Sequence, residues 1–362
     1  MRSWGGATRT WGGATRSWGG ATRSWAVAGA AAVALAGCGS SESVTDLPPA
    51  AEPDSSPPLT QRPAGRIVPV GNQPEGVVAD PVTGLVAVGL RDPGSLALVD
   101  GGSGRVERRV RLPGAPRHLA LAAPGGPVLV PAEGAGSLVR VSLPGGAAAA
   151  VEAGAHPHDA AAAGGRVFAG DERGNALAVI EGERVRRVPV GTQPGGVAVT
   201  DDGREIAVVS VRERVLELYD SDTLERTGRI AAGAGPTHVA GGSQGRVYVI
   251  DTEGDALLVF ERRPELRLAR RVALLGAPYG FAIDRVRARL YVTLTATNEV
   301  VALTGGARPR VLSTHPAVRQ PNTVAVDPRS GRVFVTGRAD GVLQLLDPAA
   351  PTAGRTPRTA RR

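Results

Sequence analysis

From about residue 63 the apolar residues come in short runs broken by glycine, proline and aspartate. Val77-Val78-Ala79, Val197-Ala198-Val199 and Phe281-Ala282-Ile283 each begin three residues after a proline, namely Pro74, Pro194 and Pro278. A glycine leads into each: Gly71-Asn72-Gln73-Pro74, Gly191-Thr192-Gln193-Pro194 and Gly276-Ala277-Pro278. Looser copies carry Pro116, Pro157, Pro236 and Pro321. Successive prolines lie 42, 41, 37, 42, 42 and 43 residues apart. Self-similarity at a period near forty residues is the signature of a repeat fold.

Each unit holds the same parts. In the unit of Pro194 the runs Val197–Val199, Ile206–Val209, Val215–Tyr219 and Arg229-Ile230 predict four short strands. Asp201-Asp202-Gly203-Arg204 and Asp220-Ser221-Asp222 supply turn chemistry between them. Asp80-Pro81-Val82-Thr83-Gly84 and Asp327–Arg332 repeat that punctuation. Four strands in each of seven units predict an all-β, seven-bladed β-propeller over residues 63–348. The last unit stops at its third strand, Val342–Asp347. A spare strand, Arg66-Ile67-Val68-Pro69-Val70, precedes the first repeat. The N-terminal strand is therefore expected to complete the last blade and remove an open edge.

Residues 1–25 are low in complexity, with Trp4, Trp11, Trp18 and Trp25 seven apart. Their Gly-Gly pairs oppose a helix by roughly 1 kcal/mol per glycine. Ala26–Gly37 is apolar but too short to span a bilayer comfortably, so 1–37 reads as a secretory signal with a leader. It ends Leu35-Ala36-Gly37-Cys38, which resembles the bacterial lipobox. That resemblance implies a diacylglycerol on Cys38, anchorage to the outer face of a membrane and export. Two acyl chains suffice for stable anchoring. Residues 38–62, rich in Ser, Pro and acids, are expected to be an extended tether. Residues 349–362 are expected to be a disordered basic tail.

The net charge of +8 suggests nucleic acid at first sight. Its distribution argues otherwise. Arg2, Arg9, Arg16 and Arg23 lie in the acid-free leader, and Arg355, Arg358, Arg361 and Arg362 in the tail. They account for the whole excess, so no basic face for a phosphate backbone is expected on the repeats. Cys38 is the single cysteine, which rules out an internal disulfide. Aromatics are 3%, so Val, Leu, Ile and Ala must build the core.

Leu290-Tyr291-Val292-Thr293 and Val333-Phe334-Val335-Thr336 resemble the Tyr-Val-Thr-Asn repeat of YncE-like propeller proteins. The fourth motif position is Leu294 or Gly337 rather than Asn, so these are diverged copies. The resemblance implies the propeller fold and an exported or surface protein, and implies little about activity. No Trp-Asp dipeptide ends the repeats, unlike those of the WD40 family.

In a propeller the residues just after each proline ring one channel mouth. One position on stand Glu75, Arg117, His158, Gly195, Thr237, Tyr279 and Asn322; two on stand Gly76, His118, Asp159, Gly196, His238, Gly280 and Thr323. Polar groups therefore gather at one rim, with Glu75, Arg117, His118, His158, Asp159, Thr237, His238, Tyr279 and Asn322 as candidate ligand-binding residues. His118, Asp159 and His238 hold equivalent positions, and imidazole with carboxylate suits Zn or Cu. The plainer alternative is that these groups cap strand ends. Gly241-Gly242-Ser243-Gln244-Gly245 matches a nucleophile elbow but sits where a hairpin turn belongs, with no helix after it. The charged loops Asp171-Glu172-Arg173 and Arg212-Glu213-Arg214 mix signs and are expected to be solvated.

Two functions follow as expectations. One is a monomeric, lipid-anchored binding or scaffold module that meets a protein or small molecule through its polar mouth, with no cofactor. The other is a metal-dependent propeller enzyme, lactonase- or lyase-like, with a divalent cation at the same mouth.

Overall fold

The computed structural model describes residues 47–348, which belong to one compact unit, Ser43–Arg362. Cys38, the leader 1–37 and the basic tail 349–362 lie outside the described residues. The repeats form seven four-stranded antiparallel sheets, giving an all-β propeller. The only helical turn among the described residues is the 3-10 turn Glu133–Ala135. Blades 1 to 6 use consecutive strands and open at Pro74–Ala79, Ala120–Leu121, Pro157–Ala163, Pro194–Val199, Pro236–Gly241 and Pro278–Asp284.

Blade 7 takes Pro321–Val326, Val333–Gly337 and Val342–Leu346 from the C-terminal end and Arg66–Pro69 from the N-terminal side. Arg66 faces Leu345, Ile67 faces Gln344, Val68 faces Leu343 and Pro69 faces Val342. The ring is thus closed by backbone hydrogen bonds between the two ends of the domain.

Strand side chains alternate between the two faces of a sheet. Each face here meets a neighbouring blade, so each interface holds its own apolar cluster, seven in all. The closing interface joins Val77, Val88 and Leu90 of blade 1 to Phe334, Leu343 and Leu345 of blade 7. The interface of blades 2 and 3 is the alanine-rich one, with Ala153, Ala160, Ala169 and Ala178. Burying one Val or Leu fully contributes about 1.5–3 kcal/mol, and Tyr248, Tyr291, Phe168, Phe260 and Phe334 join these aliphatic residues as the largest fully buried side chains.

Two devices shape the loop before each first strand. Gly154 adopts φ 131° and Gly233 φ 108°, backbone that a side chain disfavours. A Cβ at either would also collide with the carboxylate of Asp171 or Asp251. Those carboxylates end the second strands of blades 3 and 5 and pin the loops: Asp171 accepts the amides of Ala155 and His156, at 3.1 and 2.8 Å, and Asp251 those of Ala234 and Gly235. The pairing then slips just after the proline, between Pro74 and Val77, Pro157 and Ala160, Pro236 and Val239, Pro278 and Phe281, and Pro321 and Val324. Such a bulge re-aims side chains. Thr293 and Thr336 hold it in blades 6 and 7, accepting the amides of Gly280 and Thr323 at 2.8 and 3.2 Å.

The turns follow the sequence chemistry. Asp220 Oδ1 accepts the amides of Asp222 and Thr223, an Asx turn. Gly242–Gly245 closes the first hairpin of blade 5, with Gln244 at φ 57°.

Candidate functional site

The residues that follow the prolines of blades 2 to 6 meet around one space at one end of the ring. Arg117, His158, Thr237, His238 and Tyr279, from blades 2, 3, 5 and 6, line one small cavity of about 20 Å³. Gln193, Gly195 and Val211 of blade 4 and Glu172 of blade 3 complete its wall. Glu75 and Asn322 stand aside on the blade 7 to blade 1 border. There Glu75 is wholly buried, pairs with Arg338 Nη1 at 2.9 Å and accepts Asn322 Nδ2 at 3.2 Å. That pair ties two blades across the closure.

The second residue after the proline points deeper. His118, Asp159 and His238 line a cavity of about 460 Å³ whose remaining wall is mostly apolar, with Val78, Leu119, Val197, Phe281 and Ile283 among it. His238 faces both spaces. His158, His118, His238 and Tyr279 pack edge to face in sequence, ring centres 4.8, 4.5 and 4.5 Å apart. Four rings from four blades therefore stack where the small cavity and the larger one adjoin.

Burial keeps these imidazoles uncharged. It pushes His118 well below its ordinary value, aided by His238 and His158. It lowers His158 with help from Arg117, and lowers His238 to about 3. His158 Nδ1 lies 2.6 Å from the Gly195 carbonyl, which can only accept, so that nitrogen carries the proton. Burial also raises the Tyr279 phenol and lifts the carboxyls of Asp159 and Glu172 to about 7.

Arg117 is the fixed charge of the mouth. Its side chain is 13% exposed. Burial works against its charge, but the carboxylates of Glu75, Glu133 and Glu52 hold the guanidinium above its ordinary value. Nε stands 3.8 Å from Glu133 and has no hydrogen-bond partner among the described residues.

His118, Asp159 and His238 do not form a ligand cluster. His118 Nε2 and His238 Nε2 are 3.2 Å apart, but the Asp159 carboxylate accepts the amides of Ala160 and Val197, at 2.8 and 3.0 Å. Among the described residues the group whose ligand atoms all lie within 4.8 Å is Glu133, His156 and Glu172. His156 Nε2 stands 3.2 Å from Glu133, and Nδ1 stands 3.3 Å from Glu172. Glu133 is already bound by Arg91 Nη2 at 2.6 Å and faced by Arg117, and both charges oppose a cation. The group is a chain of polar contacts along one wall, with Arg91 and Glu133 as its ion pair.

Glu133, Glu172 and Arg91 escaped the sequence reading. All three sit where the second strand of a unit hands over to the third, on the face of the mouth, and that shared position is the signal that could have found them. The loop Asp171-Glu172-Arg173, expected to be solvated, has Asp171 1% exposed. Asp171 is spent on pinning the loop before Pro157, and Glu172 on the mouth wall.

Residues 47–62 hold no strand, and Ala50–Glu52 among them lie against the small cavity. Arg212 donates from Nε to the Pro48 carbonyl at 3.0 Å and from Nη2 to that of Leu47 at 2.6 Å. Ala50, Ala51 and Glu52 roof the cavity. Ser56 then accepts the Gln320 amide and donates to the Thr295 carbonyl, at 3.1 and 2.6 Å. The other charged loop therefore clamps a neighbouring segment through Arg212.

No family model and no curated protein matches the chain. Solved structures do. Hydrazine synthase of Kuenenia stuttgartiensis is 16% identical over 77% of this chain and 96% of that one, with a TM-score of 0.68. Virginiamycin B lyase from Staphylococcus aureus is 13% identical over 78% of this chain and 98% of that one, TM-score 0.65. The β-propeller domain of Cps50 (Swd1) from Myceliophteria thermophila is 13% identical over 77% and 97%, TM-score 0.66. These likenesses show the propeller fold.

Proposed function

We propose that this propeller is a binding module that takes a carboxylate-bearing ligand at the mouth, through Arg117. One observation carries the reading: a nearly buried guanidinium lines a cavity with its Nε bonded to no described residue. A guanidinium offers five donors in a fork that matches a carboxylate. The Tyr279 phenol keeps its proton and stands beside it as a further donor. The three neutral imidazoles add polar edges without adding charge.

The same reading places the module outside the cell, YncE-like in kind, held to a membrane by lipid on Cys38. The lipobox-like Leu35-Ala36-Gly37-Cys38 and the Tyr291-Val292-Thr293 motif support it. Metabolic labelling with a radioactive fatty acid should mark the wild-type chain and not Cys38→Ala; equal labelling of both would remove the anchor.

Titration of the full chain with succinate, followed by thermal shift, tests the mouth. Succinate should raise Tm in the wild type and leave Arg117→Met unmoved. An equal rise in both would discard the mouth as the site.

The second reading is a metal-dependent enzyme, favoured by the lyase among the structural neighbours and by the imidazole pair. Two nitrogens on one tetrahedral zinc lie about 3.3 Å apart for bonds of about 2.0–2.1 Å. Asp159 is committed elsewhere, so the trio does not complete a ligand set, and no reaction step is drawn through it. Elemental analysis of the purified protein decides: stoichiometric metal lost in His118→Ala would favour the enzyme.

A further inference from the structure

We propose that residues 47–57 are a resident occupant of the mouth, and that the mouth is built to take in their place an extended, proline-rich acidic peptide of a partner protein. The inference rests on the mouth being the binding site, and adds who fills it.

The segment crosses the mouth from one side to the other. It is held at blade 4 by Arg212 on the Leu47 and Pro48 carbonyls. It passes over the axis with Ala51 only 7% exposed. It is held again at blades 6 and 7. There Gln320 donates to the Asp54 carbonyl at 2.8 Å and takes the Ser56 amide on Oε1 at 2.9 Å, and Asn298 donates to the Pro57 carbonyl at 2.9 Å. Four of the clamped atoms are main-chain carbonyls. The propeller therefore reads an extended backbone more than a set of side chains. Pro48, Pro49, Pro53 and Pro57 keep such a backbone extended before it docks, which lowers the entropy lost on binding. Small Ala50 and Ala51 let it lie close over Tyr279 and Arg117.

The fit is incomplete in one respect. Glu52 is exposed and acts on Arg117 only through its field, forming no ion pair with it. The space left beneath the segment, about 20 Å³, is that of a single water. Arg117 Nε thus stays without a hydrogen-bond partner under the segment. A peptide that displaces the segment and brings a carboxylate against Arg117 gains an interaction the resident lacks. It competes against a tethered rival whose effective concentration is of millimolar order. No ladder bond secures the resident before Arg66, so it can leave without unfolding a blade.

The test is a fluorescein-labelled peptide, LPPAAEPDSSPP, copied from residues 47–58, titrated by anisotropy against the full chain. The variant Ala51→Trp with Ser56→Pro overfills the roof and removes the Ser56 donors, while every receptor residue stays. The peptide should bind this variant roughly tenfold or more tighter than the wild type. Adding Arg212→Ala should weaken it again. Equal affinity for both chains, or binding to neither, overturns the proposal. Should the variant fail to fold, hydrogen exchange of the wild type serves: excess peptide should speed exchange of the chain's own Ser56 amide, and unchanged protection overturns the proposal. If succinate still answers to Arg117 while the peptide ignores the strap, self-occupancy alone is wrong. If succinate ignores Arg117, the mouth itself is wrong.

Discussion

His118 and His238, 120 residues apart in the chain, meet Nε2 to Nε2 at 3.2 Å beneath the mouth. Neither ring can take a proton there without leaving charge in a buried stack. The consequence is a stability that depends on acid.

His238 titrates near its ordinary value when unfolded and at about 3 when folded, with burial as the first cause. Between those limits the unfolded chain binds more protons, so stability is full above about pH 6.5 and falls as pH drops toward 3. At pH 5 the loss from His238 alone is about 2 kcal/mol. Urea unfolding at pH 7.5 and 5.0 should show it, and His238→Leu should flatten the slope. A variant with the wild-type slope would contradict the buried neutral pair.

Glu75 is fully buried and answered by Arg338. Arg338→Met leaves the carboxylate without its cation, which should cost about 3–5 kcal/mol. Glu75→Gln keeps a hydrogen-bonding group and should cost much less. Chemical denaturation of both variants checks the order; equal losses would mean that the ion pair does not tie blades 7 and 1.

Gly154 and Gly203 both have positive φ, at 131° and 72°, but only the first faces a carboxylate. Gly154→Ala must move Asp171 and loosen the loop before Pro157, so it should cost more than about 2 kcal/mol. Gly203→Ala meets open space and should cost about 1 kcal/mol or less. Similar effects at both sites would remove the Asp171 clamp from the account.

Leu343 is wholly buried opposite Val68, whereas Leu312 is 51% exposed on an outer strand. Leu343→Ala should cost about 2–5 kcal/mol and Leu312→Ala less than about 0.5. A small effect at Leu343 would mean that the terminal strand does not hold the ring shut.

The prolines at near-forty spacing, the strands that follow them and the spare Arg66–Val70 were legible in the chain, because turn chemistry and two-residue alternation are local. So was the gathering of Arg117, His158, Thr237 and Tyr279, since equivalent positions in a closed ring must share one end. Only the tertiary structure decided which polar groups touch. Asp159 looks like a ligand beside two histidines, but its carboxylate is taken by the amides of Ala160 and Val197. Glu172 looks like part of a solvated loop, but blade packing sets it against His156 and His158. The stretch around Ala51 looks like spacer, but the Leu47 and Pro48 carbonyls accept from Arg212, more than 160 positions away. Desolvation and long-range hydrogen bonds act between atoms brought close by the fold, and no run of neighbouring residues encodes those distances.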